Sequence, residues 1–262
     1  MSKGHFTPPS NWAQLFSRLE DYRKNLRAPV DTMGCHRLRD EKAPKEVQRF
    51  HTLVALMLSS QTKDVVTAAA MKSLIKRGLT TQSIHAMSER ELDKHICKVG
   101  FHNTKVKHIK EVAAILIKEH DGKVPRSYEE LIALPGVGPK MANLFFQDSD
   151  NRIIGIGVDT HVHRISQRYR WVPSTVKTPE DTRKVLESWL PREHWGTINS
   201  LMVGLGQTVC TPLYPKCDIC ELSDICPNAF KETQQKRHRA KASPFEERQE
   251  SVSPKKRRTK RE

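Results

Sequence analysis

The chain has 262 residues, 37% of them hydrophobic, and carries 45 Lys and Arg against 30 Asp and Glu, a formal net charge of +15. No run approaches the ~20 apolar residues of a membrane span, and no basic segment followed by an apolar one opens the chain, so membrane and secreted classes are set aside as an expectation. Residues 236–262 hold 11 basic and 4 acidic residues, net +7, which leaves +8 for residues 1–235; a body basic in its own right asks for an acidic partner, nucleic acid first and an anionic surface second.

Residues 1–10 show no periodic pattern and read as loose. Phe50, Leu53, Val54 and Met57 then fall at i, i+3, i+4 and i+7, one apolar helix face. Ser88-x-x-Glu91 has the form of a capping box, in which side chains satisfy the orphan amides of a first turn. Val106, Ile109, Val112, Ala113, Leu116 and Ile117 form a second apolar face, and Ser127-x-x-Glu130 a second box. Residues 152–159, RIIGIGVD, look β-like, but one short run makes no sheet. Thr178-Pro179-Glu180-Asp181 supplies an N-cap, a proline at N1 and acids at the positive end of a dipole, and Pro191 stops that helix. The fold is therefore expected to be all-α, and no internal repeat is visible.

The most informative stretch is Leu134-Pro135-Gly136-Val137-Gly138-Pro139-Lys140. Gly136 and Gly138 allow a tight turn between two helices with its amides exposed, and the following helix N-terminus adds a positive dipole end, a site for one backbone phosphate. Lys140 opens that helix. It is read either as a phosphate-contacting lysine or as a nucleophile, whose neutral amine can form a Schiff base with an aldehydic carbon. Nineteen residues on, Asp159 precedes Thr160-His161-Val162-His163. It is read as an N-cap or as a carboxylate that handles the lysine's protons or steadies a cationic sugar. His161 and His163 would not share a helix face, so both are taken as structural.

Cys210, Cys217, Cys220 and Cys226 crowd into C-x6-C-x2-C-x5-C. A zinc site favours two C-x2-C knuckles, whereas four thiolates wrapped this tightly suit an iron–sulfur cube; zinc and disulfides stay open. Cys35 and Cys97 stand alone and are expected to be buried structural thiols. From about Lys231 the hydrophobic pattern ends, and residues 231–262 are expected to be disordered. The basic run 254–261 within them suggests nuclear import or an extra DNA-binding arm, the alternative being a solvated tail.

Taken together, LMLSSQTKD (56–64), VGFHNTKVKHI (99–109), LPGVGPKMAN (134–143) with VDTHVHRI (158–165), and the four-cysteine loop (210–226) resemble the eukaryotic form of endonuclease III, a bifunctional DNA glycosylase and AP lyase of the helix–hairpin–helix superfamily. The resemblance covers about residues 15 to 230. It implies two helical domains with DNA in the cleft between them. One is a six-helix barrel with the hairpin (42–152). The other is a discontinuous 4Fe-4S cluster domain (12–41 plus 153–230). Residues 1–11, outside the resemblance, are expected to be a flexible N-terminus.

The resemblance also implies that Lys140 and Asp159 are catalytic, and that Cys210, Cys217, Cys220 and Cys226 ligate the 4Fe-4S cluster. It implies a monomer that flips oxidised pyrimidines such as thymine glycol, or abasic sites, out of double-stranded DNA, with downstream repair proteins as further partners. Gln61 would fill the gap left by the flipped base, against a surface glutamine as the plain reading. Phe101 would be an apolar wedge, against a core phenylalanine. Asp64 lines the pocket or caps a helix, with the structural role favoured. Lys216 is the one basic residue between Cys210 and Cys217. The nucleus is the expected compartment, with the mitochondrion second, since Glu20 and Asp21 come early for a mitochondrial address.

Two alternatives are weighed. A monofunctional glycosylase of the superfamily would lack the lysine, and its adenine-specific members carry a glutamate in the segment matching 56–64; here that segment has no Glu and position 140 is Lys. A non-catalytic helix–hairpin–helix DNA-binding protein with structural zinc would leave Lys140 and Asp159 a coincidence.

Overall fold

The computed structural model describes residues 6–231, and the tail readings at 232–262 lie outside them. Twelve α-helices and no strand occur among the described residues, and no helix there is long and apolar enough to cross a membrane. Helix α1 spans Trp12–Asn25 and α2 Pro29–Met33. Seven helices follow: α3 (Lys45–Ser59), α4 (Asp64–Lys76), α5 (Thr81–Ala86), α6 (Glu89–Ile96), α7 (His102–Glu119), α8 (Tyr128–Ile132) and α9 (Pro139–Asp150). Helices α10 (Thr160–Arg168), α11 (Pro179–Trp189) and α12 (Ile198–Thr208) complete the set.

Two hydrophobic cores organise them. One runs from Phe50 to Phe146 and is built by α3 to α9. The other joins Leu15, Phe16, Leu19 and Tyr22 of α1 to residues between Ile156 and Leu222, with Trp171 fully buried at its centre. The chain thus leaves the second core after α1 and returns to it after α9. Helix α2 lies against both α4 and α12. There Gln207 donates to Asp64 Oδ2 at 2.7 Å and accepts from Val30 N at 3.0 Å, joining α12 to α4 and α2.

The first apolar face proves wider than one stripe. Every residue of α3 from Gln48 to Leu58 is buried. Its polar members are therefore paired, as buried donors must be: Gln48 to Glu41 O and Ala43 O, Thr52 to Gln48 O, and Arg49 to Pro125 O and Asp150. The caps stand where the sequence places them. Ser88 accepts from Glu91 N, Ser127 from Glu130 N and Thr178 from Asp181 N.

The β-like run 152–159 forms no strand and bends at Gly155. Side chains take its backbone groups instead. Asn143 Nδ2 donates to Ile156 O, Glu187 Oε1 accepts from Ile156 N, and Asn199 Nδ2 donates to Gly157 O. Cys97 corrects an expectation. It is exposed at the C-cap of α6, one residue past Ile96, where the buried face of that helix ends. Cys35 is half-buried; its thiol donates to Ala55 O at 3.5 Å, and burial pushes it up to about 11.

Candidate active site

The hairpin is built by α8, a turn and α9. Val137 N closes the turn on Leu134 O at 3.1 Å. Gly136 has φ +76°, a left-handed conformation that disfavours any Cβ, and a Cβ there would stand 2.6 Å from His108 Nδ1. Gly138 is the N-cap of α9 with open space where a Cβ would point. Pro139 takes N1, where its missing N–H costs nothing, and Lys140 follows half-buried in the first turn.

Asp159 heads α10 as its N-cap. Its Oδ1 accepts from His161 N and Val162 N, both at 2.9 Å, so the N-cap reading is correct in geometry. The cap uses Oδ1 alone. Two residues on, His161 is held below its usual range by burial, with the charges of Asp159, Arg164, Asp64 and Lys140 also acting on it. Lys140 on α9 and Asp64 on α4 thus act electrostatically on the first turn of α10, which Asp159 caps. Asp64 is not a cap. It is the first residue of α4, and Gln207 holds its carboxylate. His163 is tied to Thr182 Oγ1 at 2.6 Å, as a structural histidine would be.

Gln61 and Phe101 are both exposed and both adopt positive φ, 51° and 56°. Phe101 is 64% exposed at the N-cap of α7, which rules out the core reading. The turns that carry them touch: Gly100 N donates to Thr62 Oγ1 at 3.1 Å, and a Cβ on Gly100 would lie 2.5 Å from Gln61 O. Lys216 is exposed on the cysteine loop, its backbone N–H bonded to Val209 O.

Cys210, Cys217, Cys220 and Cys226 are unpaired thiols that line one cavity, of about 410 Å³ with its mouth, beside Tyr169, Leu205, Val209 and Leu222. Burial pushes Cys220 up to about 11, and the other three thiols add to the shift. Four thiolates gathered here need positive charge among them. Arg168 supplies some, donating to Cys210 Sγ at 3.1 Å and to Thr211 O at 2.9 Å. Among the described residues no group of three or more His, Cys, Asp or Glu is arranged to hold a metal ion. Four cysteine thiols on one cavity are a donor set that a 4Fe-4S cube and a Cys₄ zinc ion both accept.

Sequence reading missed Asn143 and Lys105. Asn143 lies inside the LPGVGPKMAN segment, a polar residue on an otherwise buried stretch of α9. Lys105 falls in register with Ile109, Val112 and Leu116 on the buried face of α7, a lysine where the pattern wants an apolar residue.

Two helices joined by a tight glycine turn, a capping aspartate and a four-cysteine pocket in the second core are the features to set beside known proteins. The profile of the HhH-GPD superfamily of base excision DNA repair proteins matches residues 54–192. Endonuclease III-like protein 1 of Gallus gallus is 49% identical over 228 residues, 87% of this chain and 81% of that protein. The endonuclease III homolog of Schizosaccharomyces pombe is 46% identical over 237 residues, 88% and 66% of the two chains. The solved structure of a trapped covalent intermediate of endonuclease III with DNA superposes with a TM-score of 0.71 at 28% identity, covering 84% of this chain and 98% of that one. The chain belongs to the HhH-GPD superfamily of base excision DNA repair proteins, and within it to the endonuclease III family.

Proposed function

We propose that this chain is a bifunctional DNA glycosylase and AP lyase that removes oxidised pyrimidines, such as thymine glycol, from duplex DNA. The observation that supports the reading is that the charges of Lys140, in the first turn of α9, and Asp159, the N-cap of α10, both act on His161. The relative captured as a covalent intermediate with DNA supports a covalent route.

The chemistry follows from those two groups. A base inside the stack is out of reach, so the nucleotide is turned out of the duplex. Lys140 gives a proton to Asp159 or to solvent, and its Nζ attacks C1′. The C1′–N bond breaks, and the base leaves with the bonding pair. Asp159 opposes the positive charge that develops at the sugar. Ring opening gives an imine between Nζ and C1′. The iminium makes the C2′ protons acidic, and loss of one expels the 3′ phosphate by β-elimination. Water then releases the lysine.

The hairpin amides at Gly136 and Gly138 would hold a backbone phosphate, with Lys216 contributing from the cysteine loop. Gln61 and Phe101 would enter the stack beside the lesion. The two cores are read as two domains with the duplex lying in the cleft between them. Cys210, Cys217, Cys220 and Cys226 would hold a 4Fe-4S cluster, which when bound fixes the shape of the loop carrying Lys216. The basic run 254–261, outside the described residues, is assigned to nuclear import. A duplex with one thymine glycol tests the activity. Base release with strand scission before any alkali supports the bifunctional reading; base release with scission only after alkali would favour the monofunctional one.

A further inference from the structure

Beneath the turns that carry Gln61 and Phe101 sits a lysine that none of the chemistry above uses. Lys105, in the first turn of α7, is only 7% exposed. Its Nζ donates to Leu58 O at 2.8 Å, Ser60 O at 2.5 Å and Thr62 Oγ1 at 3.2 Å. The Thr62 hydroxyl donates to Ser60 O at 3.2 Å and accepts from Gly100 N at 3.1 Å. A hydroxyl has one proton and two lone pairs, and this one uses all three. Burying an ammonium is costly unless its protons are bonded, and here three acceptors meet three protons. Burial still pushes Lys105 down to about 8. An apolar residue would fill the position at lower cost, as the rest of its stripe does.

What the knot holds lies on either side of it. Gln61 and Phe101 occupy the left-handed region, which is strained for a non-glycine residue. Both strained turns present an exposed side chain. Their backbones touch where Gly100 meets Gln61 O, too close for any Cβ.

We propose that Lys105 is a positioning residue for opening the duplex: it locks the Gln61 turn onto the Phe101 turn, so that the two side chains enter stacked DNA as one rigid pair. This rests on the reading in which Gln61 and Phe101 enter the duplex. Unstacking a base step is costly, and an inserted side chain offsets that cost only if its turn does not yield. A loose pair would spend part of its binding energy on its own ordering.

Lys105→Met and Thr62→Val cut the knot at different atoms. Lys110→Met is the control, because Lys110 Nζ likewise donates to three carbonyls, of Ile84, His85 and Met87, at the end of α5. Single-turnover rates are measured on a thymine glycol duplex and on a single-stranded oligonucleotide with a preformed abasic site, which has no stack to open. Lys105→Met and Thr62→Val should lower the duplex rate relative to the single-strand rate about 10- to 100-fold, as misplaced positioning groups do. Thr62→Ser, which restores the hydroxyl, should restore the ratio, and Lys110→Met should leave it unchanged. Equal loss on both substrates, or no loss on either, overturns the proposal. Wild type that acts on neither substrate contradicts the glycosylase reading and takes this proposal with it. Active wild type with unchanged variant ratios removes this proposal alone.

Discussion

Asn143 Nδ2 donates to the carbonyl of Ile156 at 3.1 Å, and both residues are buried. Asn143 lies one turn after Lys140 on α9, and Ile156 three residues before Asp159. One hydrogen bond therefore ties the helix of the candidate nucleophile to the segment that delivers the carboxylate. It also explains why that segment, apolar enough for a strand, forms none: its backbone partners are side chains from α9, α11 and α12.

Asn143→Ala should thus act twice. Leaving the Ile156 carbonyl buried without a partner should cost about 1–3 kcal/mol, read by urea unfolding. The single-turnover rate should fall further than the lost fraction of folded protein explains, because Lys140 and Asp159 lose their register. A variant with lower stability and an unaltered rate per folded molecule would assign Asn143 to the fold alone.

Asp159 is an N-cap and a proposed catalytic group at once, and Asp159→Asn separates the two. Asparagine caps as well as aspartate, so the melting temperature should stay within a few degrees of wild type. The carboxylate's proton handling is removed, and turnover should fall about 10²- to 10⁴-fold. Retained turnover would reduce Asp159 to a cap.

The helices were legible because their signals are local. Ser88, Ser127 and Thr178 cap within three residues of their own position, and periodicity reports one buried face of a helix. Burial on every side of α3 was not legible, since it depends on Glu41, Ala43, Pro125 and Asp150 arriving from elsewhere. Lys140 and Asp159 could be singled out because each stands at a helix start with a distinctive turn before it. Lys105 and Asn143 could not, because their roles exist only where distant backbone reaches them.

His51 predicts an acid sensitivity. Its Nδ1 accepts from Asp40 N at 3.2 Å, so Nε2 must carry the proton it gives to Leu79 O at 2.8 Å. Protonating Nδ1 would break the first bond inside the core. Burial holds the folded His51 below its ordinary 6.5, as it does His36, His161 and His163. The unfolded chain therefore takes up protons first as the pH drops. The stability these groups contribute is complete above about 6.5 and declines below it, through their folded values. Urea midpoints compared at neutral and acid pH should fall in wild type and fall less in His51→Gln. Equal declines in both proteins would remove His51 from the account.

The cysteine pocket predicts a brown protein with about four irons and four acid-labile sulfides per chain, the content of a Cys₄ cube. Cys217→Ala should lose the iron and lower the thermal stability of the core around Trp171. A colourless protein with one zinc per chain would favour the zinc alternative.

The central claim is that Lys140 attacks the sugar, and sodium borohydride tests it most directly by reducing an imine to a stable bond. On a duplex bearing one thymine glycol, the wild-type chain should become covalently attached to DNA under borohydride, and Lys140→Gln should not while still binding the duplex. Base release by the wild type with no trapped adduct, or an adduct that persists in Lys140→Gln, would contradict it.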